Sequence, residues 1–233
     1  MRLIFTALGL IAGLALAAPA SAEKQGTVVE LFTSQGCSSC PPADALLAEL
    51  AHRDDVIALA LHVDYWDYIG WADDLADPAF TRRQRAYARA AGGDTIYTPQ
   101  MVIGGVDHVV GSRPMAVMET LLKHAQAPSP VDVTLMRRGG TLTVTARATP
   151  ALAREAVVQL VRYAPVAPRD IGRGENAGKR VTYVNAVTSW TVAGRWEMSE
   201  PLTLELDVPG DLPVAVIVQD GTTGPILGAA ALE

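Results

Sequence analysis

The chain has 233 residues, 49% of them hydrophobic and 19% charged, and a formal net charge of −6. This is a globular composition, long enough for one large or two modest domains. An acidic chain without a long Lys/Arg run argues against nucleic acid or an anionic membrane surface as partner, and past the first residues no apolar run is long enough to cross a bilayer as a helix.

The first segment reads as a secretory leader over residues 1–22. Arg2 is a short basic start, Leu3 to Ala18 is apolar, and Ala20-Ser21-Ala22 is a small-x-small cleavage site. An uncleaved anchor is the other reading, but the run is short, Pro19 interrupts it and no basic cluster follows. Cleavage takes Arg2 and no acid, leaving the remainder one charge more negative. No cysteine stands at that point to carry a lipid. The expected location is periplasmic or secreted, with no stable membrane insertion once the leader is gone.

From residue 27 to about 126, strand and helix patterns alternate. Val28–Phe32 is a short apolar strand. Residues 43–51 form an amphipathic helix with Leu46, Leu47 and Leu50 on one face. Val56–Val63 is a second strand, and Asp77–Ala91 is a helix carrying Phe80, Tyr87 and Ala91. Met101–Ile103 and Val106–Val110 flank Gly104-Gly105, a hairpin signal. Ser112 then precedes a helix with Met115, Met118, Leu122 and Ala125 at helical spacing. The order is β-α-β-α-β-β-α, with a right-handed first crossover. Arg82-Arg83-Gln84-Arg85 reads as a solvated face of its helix.

Gln126-Ala127-Pro128-Ser129-Pro130 is a linker. Beyond it Thr141–Ala146 alternates strictly, as a half-buried strand does. Val131–Leu135, Val157–Tyr163, Arg180–Val187, Leu202–Leu206, Val214–Gln219 and Ile226–Ala230 are further strands separated by turn signals. The expected division is residues 23–127 as an α/β domain and residues 131–233 as a small antiparallel β-sandwich-like domain.

The chain has two cysteines, Cys37 and Cys40, in Gly36-Cys37-Ser38-Ser39-Cys40-Pro41-Pro42 between a strand and a helix. A bridge across two residues constrains the unfolded chain little, so the spacing suits chemistry or metal binding better than stapling. Disulfide exchange needs a thiolate and a second thiol that resolves the mixed disulfide. Pro41 and Pro42 lack N–H groups, so Cys37 is the expected N-cap, with the N–H groups of Ser39 and Cys40 and the helix dipole favouring its thiolate.

Thr98-Pro99 stands directly before the Gln100–Ile103 strand, facing the cysteines in this topology. A cis bond there leaves the Thr98 backbone free to align an extended partner segment, and an ordinary trans turn is the alternative. His62-Val63-Asp64-Tyr65-Trp66 ends the second strand and emerges on the sheet edge that carries Cys37. Asp64 and His62 are candidates for moving the exchange proton. Tyr65, Trp66 and Trp71 are candidates for a binding wall, with plain packing as the competing role. Arg173-Gly174-Glu175-Asn176-Ala177-Gly178-Lys179 is a polar loop whose glycines ordinary turn chemistry explains.

The cysteine pair, the strand–helix order and Thr98-Pro99 resemble the thioredoxin-like superfamily. More narrowly, the run Glu30–Asp44 around the cysteines, His62–Tyr68, Tyr97-Thr98-Pro99-Gln100, and Gly174-Glu175-Asn176 followed by Gly178 resemble the exported bacterial family called domain of unknown function 1223. The resemblance implies a thioredoxin-like α/β domain (a mixed sheet) with a C-terminal β extension, and raises the prospect that the Gly174-Glu175-Asn176 loop packs near Cys37. It supplies no reaction. The chain departs from the thioredoxin pattern in having no Trp before Cys37 and no Gly-Pro between the cysteines.

The leading functional expectation is an exported thiol–disulfide oxidoreductase without a cofactor, acting on a thiol- or disulfide-bearing protein or a small thiol, with Thr98, Pro99 and Trp66 binding the partner. Two alternatives stand beside it. One is a copper-handling protein using both thiolates with His62 or His108, although no second CxxC or Met-rich motif is present. The other is a binding module whose disulfide is a permanent staple.

Overall fold

The computed structural model describes residues 23–233; the expected leader lies outside the described residues. The first half runs β1 (Glu23–Gln25), β2 (Thr27–Thr33), α1 (Pro41–Ala51), β3 (Val56–His62), α2 (Pro78–Ala90), β4 (Gln100–Ile103), β5 (Asp107–Val110) and α3 (Pro114–Ala125). The second half runs β6 (Val131–Arg138), β7 (Thr141–Ala148), β8 (Glu155–Asp170), β9 (Arg180–Glu197), β10 (Leu202–Asp207), β11 (Val214–Gln219) and β12 (Ile226–Leu232). A 3-10 turn, Asp67–Ile69, follows β3.

From β2 to α3 the order is the β-α-β-α-β-β-α of the sequence reading. β2 pairs in parallel with β3 and antiparallel with β4, and β4 pairs antiparallel with β5. Alternation along β2 divides the layers. Val29 and Leu31 meet Ala43, Leu47 and Leu50 of α1 and Val117 and Leu121 of α3. Val28 and Phe32 meet Phe80 and Tyr87 of α2. Burying Leu47 or Leu50 of α1 contributes roughly 1.5–3 kcal/mol each.

The C-terminal half differs from the expected separate sandwich. β8, β9, β11 and β12 extend the first sheet into nine strands, in the order β1-β12-β11-β8-β9-β3-β2-β4-β5. Strands β10, β7 and β6 form a second sheet. The reason is that β8, β11 and β12 are apolar on both faces. Val161, Ala215, Ile217, Ala229 and Ala231 join the α2 core, while Val158, Val216, Val218 and Ala230 pack on Val133, Leu142 and Val144 of the small sheet. The joint is narrow: β9 meets β3 in parallel at Ala60 and Ala186, and Asn185 Nδ2 donates to Ala58 O at 3.0 Å.

A buried polar clamp ties the halves together and corrects the reading of Arg82–Arg85 as a solvated face. Arg82 and Arg85 are exposed, but Gln84 is buried and the Arg83 side chain is 8% exposed. Arg83 donates to both carboxylate oxygens of Glu30, at 2.6 and 2.9 Å. Its guanidinium lies 3.8 Å from the Trp190 ring centre. Tyr87 donates to Glu30 at 2.5 Å and accepts from Gln219 Nε2 at 3.0 Å, linking β2, α2 and β11.

Beyond the sheet, β8 and β9 continue as a two-stranded ribbon, with Val166 opposite Val184 and Asp170 opposite Arg180. Its tip, residues 171–179, holds the polar Gly174-Glu175-Asn176 loop. The ribbon carries that tip back to the end of β2.

Candidate functional site

The chain leaves β2 at Thr33 and turns tightly: Ser34 Oγ accepts from Gly36 N at 3.1 Å, and Cys37 N donates to Ser34 O at 3.1 Å. Cys37 and Cys40 are joined in a disulfide, with Cα atoms 5.4 Å apart. The N-cap of α1 is Cys40, not Cys37. Pro41 and Pro42 take the first two helical positions, where a missing N–H costs nothing and a fixed φ is favourable, so the helix begins three residues later than the cap assignment implied. The first free donors, Ala43 N and Asp44 N, go to Cys40 O at 2.8 and 3.1 Å. Cys37 sits in the preceding turn, with the Ser39 hydroxyl 3.5 Å from its sulfur.

Both cysteines are 0% exposed, while Ser38 and Ser39 between them face solvent. Three segments lie around the loop that carries the pair. The first is Thr98-Pro99. The bond is cis, and because Phe32 pairs with Gln100, Pro99 lies level with the end of β2. Pro99 Cβ and Ala43 Cβ of α1 both crowd the space above Gly111, 3.3 and 3.0 Å from where a side chain would begin. The second is 64–75: Trp66 Cβ and Ile69 Cδ1 close over Gly36, and Trp66 Nε1 donates to Thr98 Oγ1 at 2.7 Å. The third is the β8–β9 tip, whose buried Asn176 donates from Nδ2 to both Gln35 O and Cys37 O at 2.9 Å.

A polar layer lies beneath. Gln35 is held by Asp73, which accepts from its backbone N and its Nε2 at 2.8 Å each, and Trp71 Nε1 donates to Gln35 Oε1 at 2.7 Å. His62 Nδ1 is 2.7 Å from the same Asp73. The His62 ring stands edge-on to Tyr183, centroids 4.5 Å apart, and its buried Nε2 has no hydrogen-bond partner among the described residues. Asp44, one helical turn beyond Cys40 and so beside it on the helix surface, is also buried. It accepts from Thr33 Oγ1 at 2.7 Å. Burial raises its carboxyl from the ordinary 3.8 to about 6; the Thr33 hydroxyl and nearby His62 oppose the rise and Asp73 adds to it.

The candidate residues are thus unequally gathered. Cys37, Cys40, Thr98, Pro99 and Trp66 come together, and His62 joins through the layer below. Asp64 faces elsewhere: its carboxylate takes the Thr81 hydroxyl at 2.5 Å and opens beside Arg82 and Arg85 of α2. His108 lies on β5 against Tyr87, ring centres 6.0 Å apart. Among the described residues no group of three or more His, Cys, Asp or Glu is arranged to hold a metal ion. Sequence reasoning missed Asp44, Asp73 and Gln35 as site residues, whereas the Gly174-Glu175-Asn176 loop does pack near Cys37, through Asn176, as the family resemblance implied. For Asp44 a signal existed, since an acid directly beside the Ala43–Leu47–Leu50 stripe of an amphipathic helix faces inward.

The molecule is therefore a mixed α/β protein with a C-x-x-C disulfide between a strand and a helix. It belongs to the family described as "Protein of unknown function (DUF1223)", which matches residues 28–219. The crystal structure of protein AGR_C_4864 from Agrobacterium tumefaciens is similar, with a TM-score of 0.76 and 33% identity, covering 88% of this chain and 93% of that one. HBP35 of Porphyromonas gingivalis is similar in fold, with a TM-score of 0.64 and 17% identity over 91% of this chain and 76% of its own. No curated protein sequence matches the chain.

Proposed function

We propose that the protein is an exported thioredoxin-like thiol–disulfide oxidoreductase that uses the Cys37–Cys40 pair on protein or small-thiol partners. The observation that carries this reading is a disulfide only three residues apart in sequence, set at the entrance of α1, with a cis Thr98–Pro99 bond level with the end of β2 and Asp44 one helical turn on. So small a ring stabilises a fold little, whereas paired thiols at a helix entrance suit exchange. A disulfide also fits an oxidising compartment, in keeping with the leader-like first 22 residues.

In the reducing direction the Cys37 thiolate attacks a partner disulfide, and the partner's other sulfur leaves as a thiolate. Asp44, its carboxyl at about 6, is largely ionised at neutral pH and accepts the proton of the Cys40 thiol. The Cys40 thiolate then attacks the Cys37 sulfur, closing the disulfide and releasing the partner. Two electrons pass from the dithiol to the partner, and the reverse sequence oxidises a partner dithiol. Thr98, with its hydroxyl held by Trp66, lines the approach.

The full burial of both cysteines favours a second reading, a binding module with a permanent staple. Cys40→Ser separates the two. Exchange requires the variant to accumulate a mixed disulfide through Cys37 with a peptide disulfide. A variant that captures nothing, in a protein shown to be folded, leaves the staple.

A further inference from the structure

The loop that carries the buried disulfide is hydrogen-bonded by a residue about 140 positions away, Asn176 of the β8–β9 tip. In the β8–β9 tip Ile171 and Asn176 are buried and the other seven residues are exposed. The tip is nonetheless a fixed shape. Ile171 N donates to Lys179 O, Gly178 N to Ile171 O and Ala177 N to Gly174 O, at 2.9, 2.7 and 3.2 Å. Gly174 and Gly178 adopt φ of +76° and +79°, where a side chain is strained. Lys179 Nζ donates to Asn176 Oδ1 at 2.8 Å, aiming the amide. The ribbon behind the tip has a small core of its own, Ala167, Tyr183 and Ala186, with Leu75 and Val181 against it. Its ion pair to the 64–75 segment, Arg169–Asp74, is partly exposed and of low value.

We infer that the β8–β9 tip is a latch over the disulfide, pinned by the two hydrogen bonds from Asn176 to the backbone of Gln35 and Cys37, and that it must lift as a unit before a reactant reaches Cys37. The inference rests on the proposed exchange activity for its meaning and deepens it by naming how access is controlled. A preformed tip loses little internal structure on opening; what it breaks is the pair of bonds to the cysteine loop and the close approach of Gly172 and Gly174 to Trp71 and Ile69. Opening of this kind is local and precedes reaction.

The test is the rate at which the oxidised protein is reduced by a water-soluble trialkylphosphine. The phosphine attacks one sulfur and displaces the other as a thiolate, and water hydrolyses the thiophosphonium adduct to the phosphine oxide and the second thiol, so the phosphine supplies both electrons and no partner protein is involved. Asn176→Ala removes both hydrogen bonds to the cysteine loop, along with the one from Lys179, and is expected to raise the rate roughly tenfold or more. Val144→Ala, a core truncation in the small sheet away from the ribbon, lowers global stability and is expected to leave the rate near that of the unaltered protein. Equal rates for Asn176→Ala and the unaltered protein overturn the latch. So does an equal rise in both variants, or an unaltered protein reduced as fast as oxidised glutathione. Because the phosphine needs only access, the latch can fail while Cys40→Ser still captures a partner, and the reverse outcome is equally readable.

Discussion

Replacing Asp44 with Asn removes the ionisable group beside Cys40 while keeping an oxygen for the Thr33 hydroxyl. Burial lifts the Asp44 carboxyl from 3.8 to about 6. A folded-state value above the unfolded one means that the folded protein holds the proton more tightly. The associated stability is fully present below pH 3.8 and is lost as pH rises through 6. Each tenfold change in proton affinity is worth about 1.4 kcal/mol, so ionising Asp44 in the folded protein costs roughly 3 kcal/mol by pH 8. Asn does not bear that cost. Whatever its own N–H groups lose by burial is the same at every pH. The stability difference between Asp44→Asn and the unaltered protein should therefore move by roughly 3 kcal/mol in favour of the variant between pH 3.5 and pH 8. Urea unfolding of the oxidised proteins at the two pH values measures it. A difference that does not change with pH refutes the assignment of a raised, buried carboxyl at this position.

Other outcomes follow from the clamp and the site wall. Arg83→Met leaves Glu30 buried beside Tyr87 without its cation and should cost about 3–5 kcal/mol in chemical denaturation. The double variant Glu30→Gln/Arg83→Met should recover most of that loss, and a double variant as unstable as the single one contradicts the ion-pair account. Trp66→Phe removes the indole donor to Thr98 while keeping an aromatic body, and should cost about 1 kcal/mol, read as a Tm lower by roughly 2–4 °C. An unchanged Tm means that the 2.7 Å contact carries no net stability.

The strands and helices of the first half are legible because each writes its burial into a short window. Val28–Phe32 is apolar except at Glu30, and Leu47 and Leu50 repeat at helical spacing. The merger of the two halves was also written down. Val214–Val218 and Ile226–Leu232 are unbroken apolar or small runs, the pattern of strands covered on both faces, whereas Thr141–Ala148 alternates and has one dry face. The extra length of β8 and β9 left little signal. The ribbon half carries Pro165 and Pro168, which argue against a central strand but are tolerated in a two-stranded arm with free edges. At the site, Cys37, Cys40 and Pro99 are legible because their spacing is itself the chemistry. Asn176 is not: nothing in a polar glycine loop says which carbonyls its amide meets, and those lie about 140 residues earlier. Asp64 is a candidate by its place at a strand end, but the Thr81 hydroxyl on α2 draws it away.

The direct measurement of whether these two sulfurs are a working couple is the reduction potential of Cys37–Cys40, obtained by equilibrating the protein in thiol–disulfide buffers and counting labelled thiols. A working couple should titrate in the range of known exchangers, roughly −120 to −270 mV. A pair still oxidised below about −300 mV behaves as a structural bridge and contradicts the account.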